Sequence, residues 1–298
     1  MRIATWNVNS LKARLDKVLW WLERTEPDVL LLQETKLADD AVPKEAFVRL
    51  GYQIAHHGQG RWNGVAIVSR APVTDVVTSF GEPPAFRLTG DSDDVDPLRE
   101  ARMIAAVSGG VRVVSLYAPN GRSLDSPHYA AKLAWFERLS TWLAATCSPD
   151  EPLALGGDFN VAPDDLDVWD PAACHGGTHV SPPERAAIAR LKAWGLVDVY
   201  RRLHPEPGRY TWWDYRAGDF HNNRGMRIDH LYVTAALADR VVAVEIDREA
   251  RKGQPTPSDH APLAADVDQP GKPFDAGWAG AESRIASRRA PARTRSGA

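Results

Sequence analysis

Residues 153–160 read LALGGDFN, and this stretch contains both a signal for the fold and the first candidate functional groups. A short apolar run bounded by glycines is typical of a buried strand, so we expect a strand at 153–155 and a tight turn at the two glycines. Asp158 and Asn160 follow at alternate positions, on one side of the chain. The stretch therefore predicts a carboxylate and an amide at the rim of a sheet.

Further polar side chains follow apolar runs elsewhere in the chain. The first run ends near Asn7, and a continuously apolar run, typical of a strand buried on both faces, ends at Glu34. Asp259 and His260 come much later, in the sequence SDH. Hard oxygen ligands and a histidine gathered from distant strand ends suit Mg²⁺- or Mn²⁺-assisted attack on a phosphate ester. Taken together and in this order, these groups favour a phosphodiesterase.

Asp229 lies inside an apolar strand predicted at 227–233, where a carboxylate needs a partner. A pair of Asp229 with His260 would fix the imidazole tautomer and favour the charged form of the ring. His230 alternates to the other face of the same strand, so we do not expect it in the site.

Two interpretations stay open for Tyr117 and for the aromatic segment 210–216, YTWWDYR. Tyr117 ends a strand before a turn and is either an edge of the core or a phosphate contact. The aromatic segment either forms a hydrophobic cluster under a loop or wedges into a base step of DNA, with Arg216 holding the strand.

The composition is that of a soluble globular enzyme, with 44% hydrophobic and 25% charged residues. A net charge of −3 does not indicate a nucleic-acid protein. A metal–carboxylate site contributes negative charge itself, however, so DNA is not excluded as a partner. The two cysteines do not form a disulfide framework. We see neither a charged leader nor an apolar run of ~18 residues, so we expect a cytoplasmic protein.

Strands and hairpins alternate with helical segments along the chain. We expect helices over about 12–25, 127–147 and 183–194, and a hairpin turn at Gly109-Gly110. This mixture argues against a doubly wound parallel sheet and favours an α+β layered sandwich.

Residues 1–267 are expected to form a single domain, with a surface loop over about 82–100 that is rich in proline, glycine and acid. Residues 268–298 lose apolar periodicity and end in an arginine-rich stretch without acids, which predicts a basic, disordered tail. The tail is either a solubilising terminus or a nonspecific phosphate contact that raises the association rate at low salt.

With these residues assembled, the chain resembles the exonuclease III family of apurinic/apyrimidinic endonucleases, in the endonuclease/exonuclease/phosphatase superfamily. Matching segments occur in the family's order between residue 1 and about residue 267: TWNVNSL, LLQETK, LYAPNG, LGGDFNVAPDDLDVW, YTWWDYR, GMRIDHLYV and PSDHAPL. One such segment could arise by chance, but the whole series in register is highly specific. The resemblance implies a four-layer αββα sandwich, in which two packed mixed β-sheets are flanked by helices and the site lies at one edge.

The resemblance also implies a metal site and a set of catalytic residues. The principal Mg²⁺, for which Mn²⁺ substitutes, is expected on Glu34 with Asn7 nearby. The residues expected at or near the metal are Asn7, Glu34, Asp158, Asn160, Asp259 and His260. The residues expected in catalysis are Tyr117, Asp158, Asn160, Asp229 and His260. Asp158 would orient or deprotonate the attacking water, and His260, paired with Asp229, would stabilise charge on the phosphoryl oxygens.

The residues implied in DNA binding are Arg102, Tyr117, Asn160, Trp212, Arg216 and His260. Trp212 matches the aromatic residue that packs in the abasic-site pocket, and Arg102 matches an arginine expected near the DNA backbone. The implied partner is double-stranded DNA that contains abasic sites or blocked 3′ ends. The resemblance implies a monomer that acts on the nucleoid in the bacterial cytoplasm, with no membrane partner.

The implied reaction is hydrolysis on the 5′ side of an abasic residue, which leaves a 3′-hydroxyl, together with removal of nucleotides or blocking groups from 3′ ends. An abasic nucleotide lacks stacking and pairing, so extruding it costs less than flipping a normal base. Trp213, His230, the 82–100 loop and the basic tail depart from the family pattern. These departures leave open the balance among endonuclease, exonuclease and 3′-phosphatase activities.

Three other classes of protein fit the sequence less well. A phosphatase or diesterase acting on inositol phosphates, sphingomyelin or general DNA would share the Asn, Glu, Asp-x-Asn and Asp-His groups, but need not share the Tyr117 segment or YTWWDYR. A catalytically silent DNA-binding protein would lack at least one catalytic residue, and all of them are present. A purely structural protein leaves the acid-terminated strands unexplained.

Overall fold

Two six-stranded β-sheets form the centre of the computed structural model, which describes residues 1–81, 98–282 and 285. The first sheet contains β1 (Arg2–Asn7), β2 (Val29–Gln33), β3 (Gln53–His57), β4 (Val65–Ser69), β11 (Val241–Ile246) and β12 (Leu263–Val267). The second contains β5 (Thr74–Val77), β6 (Met103–Ser108), β7 (Val111–Tyr117), β8 (Leu153–Asp158), β9 (Leu196–Asp198) and β10 (Asp229–Thr234).

Both sheets are mixed. The strand order is β11-β12-β1-β2-β4-β3 in the first sheet and β5-β6-β7-β8-β10-β9 in the second. The pairs β1–β2 and β7–β8 are parallel, whereas the other neighbours are antiparallel. Gly109 and Gly110 both have positive φ between β6 and β7, so the predicted hairpin turn is confirmed.

The helices connect the strands and cover the outer faces of the sheets. They are α1 (Leu11–Thr25), α2 (Lys44–Val48), α3 (Pro127–Thr146), α4 (Pro171–Cys174), α5 (Pro182–Trp194), α6 (Val199–Leu203), α7 (Asp219–Asn222) and α8 (Ala235–Ala238), with 3₁₀ turns at Asp39–Ala41, Asp165–Asp167 and Arg248–Arg251. None of the helices within the described part of the chain is long and apolar enough to span a membrane.

Three layers of apolar side chains hold the sandwich together. Leu31 on β2 points into the core between the sheets, whereas its neighbours Leu30 and Leu32 point outward against α1. The second sheet is covered on its outer face by α3 and α5, through residues such as Phe136 and Leu191. The continuously apolar strands are thus buried on both faces, and the predicted α+β, four-layer αββα sandwich is confirmed.

Gly156 and Gly157 differ from their predicted role. They lie inside β8, which continues to Asp158, and neither has a positive φ. A Cβ atom on Gly157 would lie 1.9 Å from the carbonyl oxygen of Leu116, and one on Gly156 would lie 2.6 Å from Leu31 Cδ1. The glycines are therefore required by close packing against the neighbouring strand and the opposite sheet, and the prediction of a tight turn was wrong.

Packed residues continue past residue 267, where the sequence predicts the end of the domain. Trp278 is 4% exposed, lies in the core between the sheets, and donates its indole N–H to the Ile246 carbonyl at 2.7 Å. Ala276 and Ala281 are also buried. A single tryptophan in a polar segment gives no periodic signal in the sequence. The arginine-rich end and most of the predicted 82–100 loop lie outside the described residues.

Candidate active site

Polar side chains from both sheets meet at one edge of the sandwich. Asn7 ends β1 and Glu34 follows β2, and because these strands are parallel neighbours their carboxyl ends lie together. In the second sheet, Asp158 pairs directly with Asp229 of β10 and with Tyr117 of β7. Since β1 packs face to face on β8 and β10, the two sets of side chains form one site.

Glu34, Asp158 and His260 form a compact group, with one candidate ligand atom from each within 4.8 Å of the others. Asn7 joins the two carboxylates, because its Nδ2 donates to Glu34 Oε1 (2.8 Å) and to Asp158 Oδ2 (2.9 Å). Its Oδ1 accepts the N–H of Asn9 at 3.0 Å. In this arrangement Asn7 bridges the two carboxylates through its amide nitrogen.

Glu34 and Asn160 both adopt left-handed backbone conformations, with φ of 50° and 52°. Non-glycine residues rarely do so, and the strain persists only where the surroundings enforce it. At Asn160, the N–H donates to Asp158 Oδ1 (2.9 Å), and Nδ2 donates to the Ala118 carbonyl (3.0 Å) and lies 3.3 Å from Asp158 Oδ2. The unusual backbone thus places the amide of Asn160 against the Asp158 carboxylate.

His260 is paired with Asp229, as predicted. His260 Nδ1 and Asp229 Oδ2 are 2.8 Å apart, and both side chains are buried. Burial alone would lower the pKa of His260, but the negative charges of Asp229 and Asp158 outweigh burial and raise the pKa to about 10. The ring is therefore an imidazolium at neutral pH.

Asp158 combines burial with nearby charge. Burial and, to a smaller extent, the negative charges of Asp229 and Glu34 together raise the pKa of Asp158 to about 7. They do so against the attraction of His260, whose Nε2 lies 3.9 Å from Asp158 Oδ2. A carboxyl group with a pKa near neutrality can accept a proton from water at physiological pH.

The donor set fits a divalent cation. Glu34 and Asp158 offer hard carboxylate oxygens, and carboxylates gathered at low exposure are costly without positive charge. His260 cannot bind a cation while it is an imidazolium, because both ring nitrogens then carry protons. Of the two roles expected for His260, its raised pKa therefore favours charge stabilisation over metal binding.

Asp259 lies beside the Glu34–Asp158–His260 group and is engaged elsewhere. Its Oδ1 accepts from Asn9 Nδ2 at 3.0 Å, and its Oδ2 accepts from the indole N–H of Trp212 at 3.1 Å. With both oxygens accepting hydrogen bonds, Asp259 orients Asn9 and Trp212.

Tyr117 lies at the site edge, with Arg102 above its ring. The Arg102 guanidinium is 4.6 Å from the ring centroid, pairs with Glu100 at 2.6 Å and donates to the Tyr117 carbonyl at 3.3 Å. Burial raises the pKa of the Tyr117 phenol well above its usual value, and the charge of Glu34 adds to the shift. The phenol is therefore a hydrogen-bond donor at neutral pH, and Arg102 is placed to hold it.

The aromatic segment contributes one residue to the site edge. Trp212 contacts Met226 and Ile228 in an apolar cluster and, with Met226, lines an open cavity of about 550 Å³. Arg216, expected to bind DNA, has a side chain that is 91% exposed and lies 4.0 Å from Asp214.

Trp213 and His230, which depart from the family pattern, both lie in the interior away from the site. Trp213 is fully buried and donates its indole N–H to Asn223 Oδ1 at 3.2 Å. His230 Nδ1 accepts from Arg227 at 2.9 Å, so its Nε2 carries the proton and donates to the Val161 carbonyl at 2.8 Å. Neither side chain is positioned to select a substrate.

Sequence reasoning missed two residues of the site. Asn9 links Asp259 to Lys36, whose Nζ donates to Asn9 Oδ1 at 2.7 Å and lies 3.0 Å from Glu34 Oε2. Each follows a predicted site residue at the next alternate position, Asn9 after Asn7 and Lys36 after Glu34. This alternate spacing, which places each residue on the same side of the chain as a predicted site residue, could have identified both.

Comparison with known proteins agrees with this geometry. A model of the Endonuclease/Exonuclease/phosphatase family matches residues 4–260. The chain belongs to this family. Exodeoxyribonuclease III of Haemophilus influenzae is 34% identical over 279 residues, which cover 89% of this chain and 99% of that protein. The predicted relationship to the exonuclease III family is thereby confirmed.

Two solved structures match closely in fold. An AP endonuclease from Archaeoglobus fulgidus has a TM-score of 0.81 and 37% identity, covering 90% of this chain and 100% of that chain. A 3′ phosphatase from Neisseria, bound to a product DNA hairpin, has a TM-score of 0.79 and 40% identity, with coverage of 90% and 100%. The chain is accordingly a nuclease-type phosphodiester hydrolase of a metal-dependent family.

Proposed function

We propose that this protein is a Mg²⁺-dependent DNA-repair phosphodiesterase that cleaves on the 5′ side of abasic sites and processes 3′ ends. The observation that carries the proposal is the buried Asp229–His260 pair beside Asp158 and Glu34. A phosphodiester is anionic and resists nucleophiles, so its hydrolysis needs a base for water and positive charge for the phosphoryl oxygens. This arrangement of side chains supplies both.

In the proposed reaction, Asp158 takes a proton from the attacking water. The water oxygen bonds to phosphorus while the bond from phosphorus to the 3′ oxygen breaks, and that oxygen takes a proton from solvent to become the 3′-hydroxyl. The His260 imidazolium offsets charge on the phosphoryl oxygens, and the Tyr117 phenol donates a hydrogen bond to one of them. A positioned base contributes on the order of 10²–10⁴-fold to the rate.

Mg²⁺ is the proposed metal, with Glu34 as its principal ligand and Asp158 nearby. Bound there, it would add positive charge for the phosphoryl group. Oxygen-rich sites with few protein ligands are typical of Mg²⁺, and Mn²⁺ accepts the same ligands.

The cavity beside Trp212 supports recognition of an abasic residue. Trp212 and Met226 present apolar surface in this cavity, and Trp212 is paired with His260 through an isolated β-bridge. A sugar without a base would pack on this surface at low extrusion cost, because it has lost its stacking and pairing. Processing of 3′ ends is the second proposed activity, supported by the similarity to a 3′ phosphatase.

Three end-labelled duplexes test these activities side by side: one with a single tetrahydrofuran abasic analogue, one with a 3′-phosphate at a nick, and one undamaged. Incision 5′ to the analogue, with slower trimming of the undamaged duplex, is the expected result. Removal of the 3′-phosphate without incision would reject the abasic activity and leave 3′-end processing. Turnover of none of the three would reject both.

We also propose that the protein works as a monomer in the bacterial cytoplasm and that its basic end contacts DNA. Because phosphate contacts release counterions, deleting residues 283–298 should weaken nonspecific DNA binding mainly at low salt. An unchanged slope of affinity against salt concentration would show that this end makes no phosphate contact. Light scattering of the purified protein, with and without DNA, checks the monomeric state.

A further inference from the structure

A buried ion pair lies directly beneath the active site. The side chains of Lys132 on α3 and Glu184 on α5 are both 0% exposed. Lys132 Nζ donates to the Glu184 carboxylate, to the Asn160 carbonyl at 2.7 Å and to the Asn120 carbonyl at 3.2 Å. An ammonium group has three protons, so the donors of Lys132 are fully used and two of them hold loops that border the site.

Glu184 has a structural role that does not require a lysine. It forms the capping box of α5, accepting from the N–H and hydroxyl of Ser181 at 3.0 and 2.6 Å, and it also accepts the His179 N–H at 3.0 Å. Taking two charges out of water costs several kcal/mol per ion, and buried pairs are often no more stabilising than apolar residues of similar volume. Stability alone therefore does not explain a buried charge opposite Glu184.

The Asn160 carbonyl is the point where this network reaches the site. It accepts from Lys132 Nζ at 2.7 Å and from His179 Nδ1 at 2.5 Å. Asn160 has the left-handed backbone noted above, and such a conformation persists where its neighbours hold it in place. These two bonds fix the orientation of the Asn160 peptide and hence of its side-chain amide beside Asp158.

We propose that the Lys132–Glu184 pair is a positioning device that holds Asn160 against Asp158 for hydrolysis, an inference that rests on the proposed function. The pair does not touch the substrate. Its effect passes through the Asn160 carbonyl, so its removal lowers turnover only while the Asn160 amide is present.

A double-mutant cycle tests this. The double variant Lys132→Met/Glu184→Gln is neutral and keeps a hydrogen-bond acceptor for the α5 cap. We expect it to lower kcat by about 10-fold or more when Asn160 is present. In an Asn160→Ala background, the same double variant should lower kcat by less than about 2-fold. The matched control is Arg2→Met/Asp266→Asn, a buried pair at the opposite end of β1 with an Nε–Oδ1 distance of 2.6 Å. The control should leave kcat within about 2-fold whatever its effect on unfolding. Equal losses of kcat in both Asn160 backgrounds, or no loss, would overturn the proposal.

A second readout does not depend on activity. The side-chain ¹H–¹⁵N amide resonances of Asn160, assigned by their absence in Asn160→Ala, should shift in Lys132→Met/Glu184→Gln and stay in place in the Arg2/Asp266 control. Should the wild-type protein cleave no DNA, the proposed function fails, and unchanged Asn160 resonances would separately reject the positioning role. If the double variant does not fold, Glu184→Gln alone, which keeps Lys132 and an acceptor for the cap, takes its place. We expect the Asn160 resonances to shift in the same direction by a smaller amount in this variant. No shift of these resonances would reject the proposal.

Discussion

Replacing Asp229 with asparagine removes a negative charge beside His260 and keeps the size of the side chain. In the wild-type protein the pKa of His260 is raised to about 10, so the ring stays charged throughout the physiological range. In Asp229→Asn, burial still lowers the pKa of His260, and only the charges of Asp158, 3.9 Å away, and Asp259 remain to raise it. We therefore expect this pKa to fall well below about 10, so that the imidazole loses its proton within the range of the assay.

The assay is kcat/KM on the preferred DNA duplex from pH 6 to 9.5 at fixed Mg²⁺. Relative to wild type, Asp229→Asn should lose activity progressively as the pH rises, approaching about tenfold per pH unit once the pH exceeds the lowered pKa of His260. The matched control is Asp266→Asn, which removes a buried carboxylate from the Arg2 pair, and its profile should parallel the wild type. A uniform drop in Asp229→Asn, with no added pH dependence, would show that Asp229 acts by shape alone and refute the charge argument.

Three further predictions concern the framework that carries the site. Arg227→Met removes the ion-pair partner of buried Asp198 and one of the two arginines that pair with buried Asp167, which keeps Arg201. It should cost about 3–5 kcal/mol in urea unfolding, whereas the exposed pair of Arg240 should cost less than about 1 kcal/mol when broken. Burial lowers the pKa of His230 to about 4 in the folded state, whereas in the unfolded chain this histidine has its ordinary pKa of about 6.5. Between pH 6.5 and 4 the unfolded chain therefore binds more protons than the folded protein, so the free energy of unfolding should fall as the pH falls through this range. His230→Asn should make that pH dependence less steep. Trp278→Ala should cost about 3–5 kcal/mol by the same urea assay. Equal stability of Trp278→Ala and wild type would place the domain end before that residue.

The sandwich and most of the site follow from signals that are local in sequence. The continuously apolar run before Glu34 predicts a strand buried on both faces, and the carboxylate that follows it predicts a functional group at the edge of the sheet. The pairing of Asp229 with His260 follows from the cost of a carboxylate within an apolar strand, and the structure places the two 2.8 Å apart. Family motifs then supply the roles that spacing alone cannot assign.

Other features depend on three-dimensional contacts that no local pattern encodes. The glycines of β8 exist because the carbonyl of Leu116 and the side chain of Leu31 come too close for a Cβ atom. The Lys132–Glu184 pair joins two helices far apart in the chain, and an isolated lysine in an amphipathic helix looks like a surface residue. Short strands such as β9 are formed by pairing with β10 rather than by their own propensity.

The most direct test of the proposed hydrolysis is incision of a duplex that carries one tetrahydrofuran abasic analogue, measured for wild type and Asp158→Asn with Mg²⁺ and with EDTA. The geometry predicts a single Mg²⁺-dependent cut 5′ to the analogue that leaves a 3′-hydroxyl. The same cut should be absent in EDTA and absent in Asp158→Asn, although that variant still binds the duplex. Incision that persists in EDTA, or at the wild-type rate in Asp158→Asn, would contradict a metal-dependent mechanism in which Asp158 is the base.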